Sequence, residues 1–261
     1  MRQSGLKCMA AFALVSAPVI AEAAQPSGFE IMDNVENRKD GKDQRATITL
    51  EIKPENGSPR LRKFTYLRKT YEDHRKYVTY FVAPADVRNS AFLEWDMQKG
   101  ETDRRWLYLP AIAQVRRLTT GDERNSFFGS EFVYEDVTNR DPDLDEHKVV
   151  GSEKIKTWDC WVLESTPKDR RKVEFAKYKS WVWKDDAIIV KQDFYDDSGK
   201  VFKQFEMASL AKADGICTWG QAVMTNVKTK SRSRVQLSDI KFNTNIADET
   251  FTERQITRGA P

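Results

Sequence analysis

Two periods of apolar spacing divide this chain. Residues 26–38 set Phe29, Met32 and Val35, and likewise Ile31 and Val35, three or four positions apart, the spacing that gathers side chains on one face of an α-helix. Ser27 stands where a helix cap is needed and Asp40-Gly41 where the pattern ends, so one amphipathic helix is predicted there. From Ala46 onward the period is two. Ala46, Ile48, Leu50 and Ile52 alternate with Thr47, Thr49 and Glu51, and the stretch Pro54 to Pro59 supplies a turn before Phe64 to Arg68 resumes the pattern. That is the signature of an antiparallel hairpin.

Further runs repeat it: Tyr77–Val82, Ala91–Asp96, Arg105–Leu109, Trp161–Glu164, Tyr178–Trp183, Ile188–Tyr195, Lys200–Phe205 and Val235–Phe242. Lys184-Asp185-Asp186-Ala187 and Asp196-Asp197-Ser198-Gly199 fall between strands as tight turns, which predicts a meander of neighbouring antiparallel strands. Single helical turns are expected at Pro84–Arg88, Asp141–His147 and Ala247–Arg254. No internal repeat or low-complexity linker cuts the chain. The expected fold is therefore mainly β (α+β): one strongly curved antiparallel sheet with a few helices over a face or mouth, residues 24–261 forming a single domain.

The first residues follow a different logic. Arg2 and Lys7 precede an apolar run from Met9 to Ile20, and Ala21-Glu22-Ala23 supplies an A-x-A cleavage site. The run is too short to span a bilayer and is interrupted by Pro18, so residues 1–23 read as a cleaved secretory signal rather than an anchor helix, and the expected destination is the periplasm. Cys8 precedes the run without the small apolar residues of a lipoprotein cleavage site. Beyond the signal, Cys160 and Cys217 remain. In an oxidising compartment they either pair, which for a loop of that size contributes roughly 4 kcal/mol, or stand as two separate buried thiols.

Charge narrows the function classes. The chain carries 43 basic and 40 acidic residues, a mixed surface unlike a nucleic-acid footprint. The basic clusters Arg60–Lys63 and Lys228–Arg234 alternate at strand spacing, as solvent faces of strands do. Catalytic signals are thin. His74 and His147 sit in charged surroundings without a nucleophile elbow and read as surface histidines. The run Asp141–His147 lacks the glycine and distal glutamate of a calcium loop. The adjacent pairs Glu135-Asp136 and Asp185-Asp186 would point to opposite faces of a strand. Gly129-Ser130 reads as a turn rather than a nucleophile. No enzyme activity, metal or cofactor is expected.

Aromatics are abundant at strand positions, among them Phe81, Phe92, Trp95, Trp106, Tyr108, Phe132, Tyr134, Trp181 and Trp183. They either fill a sheet–helix core or line the cavity that a partly open barrel leaves for an apolar ligand.

One ordered set of segments resembles a known family. Ala91–Asp96, Arg105–Pro110, Val115–Leu118, Phe128–Phe132 and Tyr134–Asp136, followed by Trp161–Glu164 and Pro167, are similar to the LolA-like outer-membrane lipoprotein-sorting proteins. The resemblance covers nearly all of the chain beyond the signal and is most specific in its middle third. It implies a LolA/LolB/RseB-type fold: an unclosed antiparallel β-barrel wrapped around a hydrophobic cavity, with a few lid helices. It also implies a non-enzymatic periplasmic carrier that binds a lipid or an acylated, lipoprotein-like cargo and passes it toward an outer-membrane acceptor, beside an inner-membrane RND/MMPL-type transporter. The alternative is an RseB-like periplasmic regulator that binds a protein partner. Greater length and the Gly129–Asp136 block set the chain apart from the best-studied lipoprotein carriers. On this resemblance Trp95, Trp106, Tyr108, Phe132 and Tyr134 are the cavity candidates, while Arg88, Arg116 and Arg117 are candidates for holding a lid or meeting a head group, or else are ordinary strand-surface arginines.

Overall fold

The computed structural model describes residues 25–97, 101–119, 121–138 and 140–261; the expected signal segment, with Cys8, lies outside them. Among the described residues, no helix is long and apolar enough to cross a membrane.

Helix α1 (Gly28–Glu36) forms where the apolar spacing placed it. Its start is a capping box: Ser27 Oγ accepts from the Glu30 amide at 3.2 Å, and Glu30 Oε2 accepts from the Ser27 amide at 2.7 Å, satisfying two otherwise orphaned donors. Its buried side, Ile31 and Met32, packs on Leu163 and Val182. The first turn lies so close to the sheet that a Cβ on Gly28 would come within 2.5 Å of the His147 carbonyl oxygen. Only glycine fits there.

Among the described residues thirteen strands follow: β1 (Asp43–Lys53), β2 (Arg60–Thr70), β3 (His74–Ala83), β4 (Ala91–Met97), β5 (Arg104–Leu109), β6 (Gln114–Leu118), β7 (Asp145–Ile155), β8 (Trp158–Pro167), β9 (Lys177–Trp183), β10 (Ile188–Tyr195), β11 (Val201–Ala213), β12 (Ile216–Asn226) and β13 (Arg232–Phe242). They build one antiparallel sheet in the order β6-β5-β4-β3-β2-β1-β13-β12-β11-β10-β9-β8-β7. Every neighbour is a sequence neighbour except at one seam, where Leu50 of β1 pairs with Val235 of β13. The end strands β6 and β7 do not pair with each other, so the barrel is unclosed, as the meander and the family resemblance implied.

Alternation divides the side chains between two faces. The inner face carries the largest apolar cluster, with Ile48, Leu50, Phe64, Phe92, Met224 and Leu237. On the outer face of β2–β5, Leu67, Val78, Tyr80, Leu93 and Trp106 are covered by the C-terminal segment through Phe251 and Ile256. That segment comprises a 3-10 turn at Asp248–Phe251 and α2 (Glu253–Ile256), where a helical turn was expected. It is tied down by Trp95 Nε1 donating to the Phe251 carbonyl at 2.9 Å and Tyr80 Oη donating to the Thr250 carbonyl at 3.2 Å.

Three strands and two turns depart from expectation. At Asp141–His147 the helical turn is limited to Pro142–Leu144, and β7 begins at Asp145. At Pro84–Arg88 the chain makes a non-helical turn. β6 and β7 are exposed end strands with almost no buried positions, and the buried residues of β12 include the small Thr218, Gly220 and Ala222. None of the three carries the large apolar alternation that marks a strand in sequence.

Candidate functional site

The inner face is only partly filled by its own side chains. A cavity of about 360 Å³ remains, within the range of roughly 300–1,000 Å³ typical of small-molecule sites. Ile48, Leu50, Phe64, Phe92, Met224 and Leu237 form its sheet wall; Met32 and Val35 of α1 and Phe127 and Phe132 of the β6–β7 connection close it from the other side. The helix thus acts as a lid because its buried stripe meets the same face that the strands leave open.

The middle of the connection between β6 and β7 is shaped by Gly129. Phe128 and Gly129 both take positive φ, 50° and 76°, which reverses the chain. Phe127 N donates to Phe132 O at 2.7 Å, and Ser130 Oγ donates to the Phe127 carbonyl at 2.7 Å. Ser130 therefore spends its hydroxyl on holding the turn. The reversal drives Phe127 into the core, edge-on to Phe64, Phe92 and Tyr134 with ring centroids 6.2, 6.0 and 5.4 Å away.

Polar groups sit at the two ends of the apolar wall. At one end, Arg140 forms ion pairs with Glu135 and, at 2.7 Å, with Asp145, which also accepts from Tyr178 Oη at 2.6 Å. Burial opposes the Arg140 charge but is outweighed by the Asp145 hydrogen bonds and the Glu135 charge, so its pKa is raised. Lys203 pairs with Asp136 at 2.5 Å. Glu135 and Asp136 thus lie on a 3-10 turn, Tyr134–Val137, not on a strand, and each neutralises a cation.

The other end holds Arg38, Asp40, Gln44, Tyr66, Arg68 and Tyr77. Arg68 pairs with Asp40 at 2.6 Å. Burial pushes the Tyr66 hydroxyl up to about 12. Beside this end, Arg75 pairs with the Glu36 carboxylate and donates to its main-chain carbonyl at 2.6 Å, fastening the C-terminus of α1. Two buried carboxyls back it. Glu94, fully buried against Arg105 at 2.6 Å, is pushed up to about 8 by desolvation, and Asp96 to about 7, again chiefly by desolvation and then by the charge of Asp103.

The expected site residues are redistributed. Phe132 lines the cavity, and Tyr134 is buried beside it, 5.1 Å from Phe92. Trp95, Trp106 and Tyr108 belong to the outer face, packed with Phe251 and Ile256. The correction follows from strand parity: Phe92 faces inward, so Leu93 and Trp95 face outward, and Trp106 pairs with Leu93. Of the arginines, Arg88 is exposed in the β3–β4 turn, Arg116 pairs with Asp122 at 2.9 Å in solvent, and Arg117 lies with Trp106 and Glu253 in a shallow outer depression. None borders the cavity. The bordering cations are Arg38, Arg68, Arg124, Arg140 and Lys203, which no sequence motif marks.

Of the two alternatives left open for Cys160 and Cys217, they stand as free thiols, the first buried and the second half-buried, and both contribute to one apolar cluster of β8–β12. His147 is not a loose surface group: Nδ1 is 2.7 Å from Ser165 Oγ and Nε2 3.0 Å from the Pro142 carbonyl, and burial lowers its pKa. His74, by contrast, contacts Asp73 at 2.6 Å and stacks on Tyr71 near the surface. Among the described residues no cluster of His, Cys, Asp and Glu is arranged to hold a metal ion.

A family model described as an uncharacterized protein family matches residues 73–258. No curated protein matches the chain. Among solved structures, a DUF1329 family protein from Desulfovibrio piger is 25% identical with a TM-score of 0.82, covering 88% of this chain and 97% of its own. A domain from Vibrio parahaemolyticus named for outer membrane lipoprotein sorting is 29% identical with a TM-score of 0.81, over 88% and 98% of the two chains. A LolA superfamily protein from Nitrosomonas europaea, 21% identical over 88% and 99% with a TM-score of 0.66, shares the fold.

Proposed function

From the premise that this chain belongs to the LolA-like family, we propose that it is a non-enzymatic periplasmic carrier. Its cargo is a lipid or the acylated end of a lipoprotein, held between the half-barrel and α1 and passed toward the outer membrane. The carrier works beside an RND/MMPL-type transporter in the inner membrane, and residues 1–23 are removed on export. The observation that carries this reading is the apolar cavity of about 360 Å³ beneath a helix.

The energetics suit a carrier. A tail of about ten buried methylenes gains roughly 8 kcal/mol, before the costs of association and ordering are subtracted. The gross gain alone corresponds to about micromolar binding, and what remains after those costs is weaker, an affinity from which cargo is readily released.

The test is native mass spectrometry of signal-free protein purified from its own periplasm, followed by organic extraction. A defined bound lipid is expected. Folded protein that arrives empty and stays empty after challenge with lipids sinks the carrier reading, and a protein partner captured irrespective of lipid would favour a regulator instead.

A further inference from the structure

The two polar ends of the cavity are not equivalent. Around Lys203 and Arg140 the cations face the carboxylates of Asp136, Glu135 and Asp145. The strand registers put Arg68 and Gln44 at the opposite end of the wall: Gln44 pairs with Arg68 and Phe242, whereas Lys203 pairs with Asn226, near the far end of β12. There the balance changes. Arg38, just past α1, has no ion pair among the described residues; its guanidinium donates to the Cys217 carbonyl at 2.9 Å. Arg68, whose side chain is 3% exposed, pairs with Asp40, and its Nε is buried without a hydrogen-bond partner. Glu36 and Asp40 are the carboxylates lining this end; Arg75 engages the first, which leaves Asp40 against the two guanidiniums of Arg38 and Arg68. Asp40 and, less strongly, Asp186 act on Arg38 without pairing with it.

We propose that Arg38 and Arg68 form a receptor for one anionic head group, a carboxylate or a phosphate ester, so that an amphipathic cargo lies with its charge under the end of α1 and its tail toward Phe127 and Phe132. The inference rests on the carrier reading and adds to it the class and orientation of the ligand. Planar guanidinium forks match both oxyanions, and the neighbouring Gln44 and Tyr66 add no charge. Burial already pulls Arg38 below its ordinary pKa, and an incoming anion relieves that cost. Arg124 also borders the cavity but is solvent-exposed, where hydration satisfies it.

Three ligands with one tail separate the possibilities: palmitate, hexadecyl phosphate and hexadecanol, each titrated into delipidated protein against a neutral fluorescent probe. At least one anion is expected to bind about tenfold to a hundredfold more tightly than the alcohol, the scale of charge-assisted hydrogen bonds. Which anion gains more identifies the head-group chemistry. Arg38→Gln removes the preference while hexadecanol affinity stays within about twofold, and Arg124→Gln keeps the preference. Equal binding of alcohol and anions by the unaltered protein overturns the inference and leaves the carrier reading standing; so does a preference that survives Arg38→Gln. Failure of all three ligands to bind overturns both. If Arg38→Gln does not fold, Arg38→Lys, which keeps the charge but loses the fork, is expected to weaken anion binding alone; an unchanged preference in it counts against the receptor.

Discussion

Leu237 of β13 lies on the cavity wall and keeps 9% of its surface accessible, more than Leu50 at 0% on the neighbouring strand. Leu237→Trp should therefore place its added ring in the void rather than in packed side chains. The larger side chain adds about six heavy atoms and displaces on the order of three methylenes of a bound tail, at about 0.8 kcal/mol each. The expected loss is about 2.4 kcal/mol, or roughly fiftyfold in Kd. Stability should hold or rise slightly, because filling a void does not strain its surroundings. Hexadecanol titration reports the affinity, and thermal unfolding of the same sample reports the fold. Unchanged affinity in a folded variant would show that the tail does not occupy this space. A loss of several kcal/mol of stability would show instead that Leu237 is packed on all sides, which contradicts the geometry from which the effect is worked.

Phe251→Ala, on the outer face, is expected to cost about 3–5 kcal/mol of stability with tail affinity unaltered, measured by urea unfolding and titration; a change in affinity in the folded variant would mean the C-terminal segment communicates with the cavity. Arg75→Ala removes the fastening of Glu36 and should raise hydrogen exchange of α1 amides while leaving the β3 amides protected; equal protection of α1 refutes its role as the lid's latch. Asp96 has a folded pKa raised from 3.8 to about 7, so the native state binds its proton more tightly than the unfolded chain: stability is fully present below about pH 4 and falls as pH rises toward 7. At about 1.4 kcal/mol per pH unit its share of the fall is at most about 4 kcal/mol, and Asp96→Asn should make the slope shallower in unfolding curves taken across that range, with the contribution of Glu94, raised from 4.5 to about 8, left in place. An unaltered slope in the variant would assign the pH dependence elsewhere.

Turn chemistry and periodicity made most of the architecture legible. Ser27 and Glu30 announce α1, and the Asp-rich turns before Ile188 and Val201 mark hairpins that form as read. What escaped did so for physical reasons. β7 ends the sheet and is nearly all exposed, and β12 buries small residues, so neither shows large apolar alternation. The aromatic cavity candidates follow from the family resemblance, whereas parity decides the face: Phe92 and Trp95 are three apart and so point to opposite sides. That signal was present in the strand pattern. The cations of the cavity carried none, because Arg38 follows a helix and Arg68 resembles any strand arginine until Asp40 is brought against it.

The seam between β1 and β13 sets the timing of folding. Strands at the middle of the sheet are made first and last, with most of the chain between Leu50 and Val235. Local hairpins form early, but the inner cluster joining Ile48, Leu50, Val235 and Leu237 assembles only when both halves meet, and closing so long a loop precedes the reward of its contacts. A nascent chain that still lacks β13 therefore has no completed core to resist being threaded in extended form. The pairing that gives the finished protein its centre is also what keeps the unfinished one pliable.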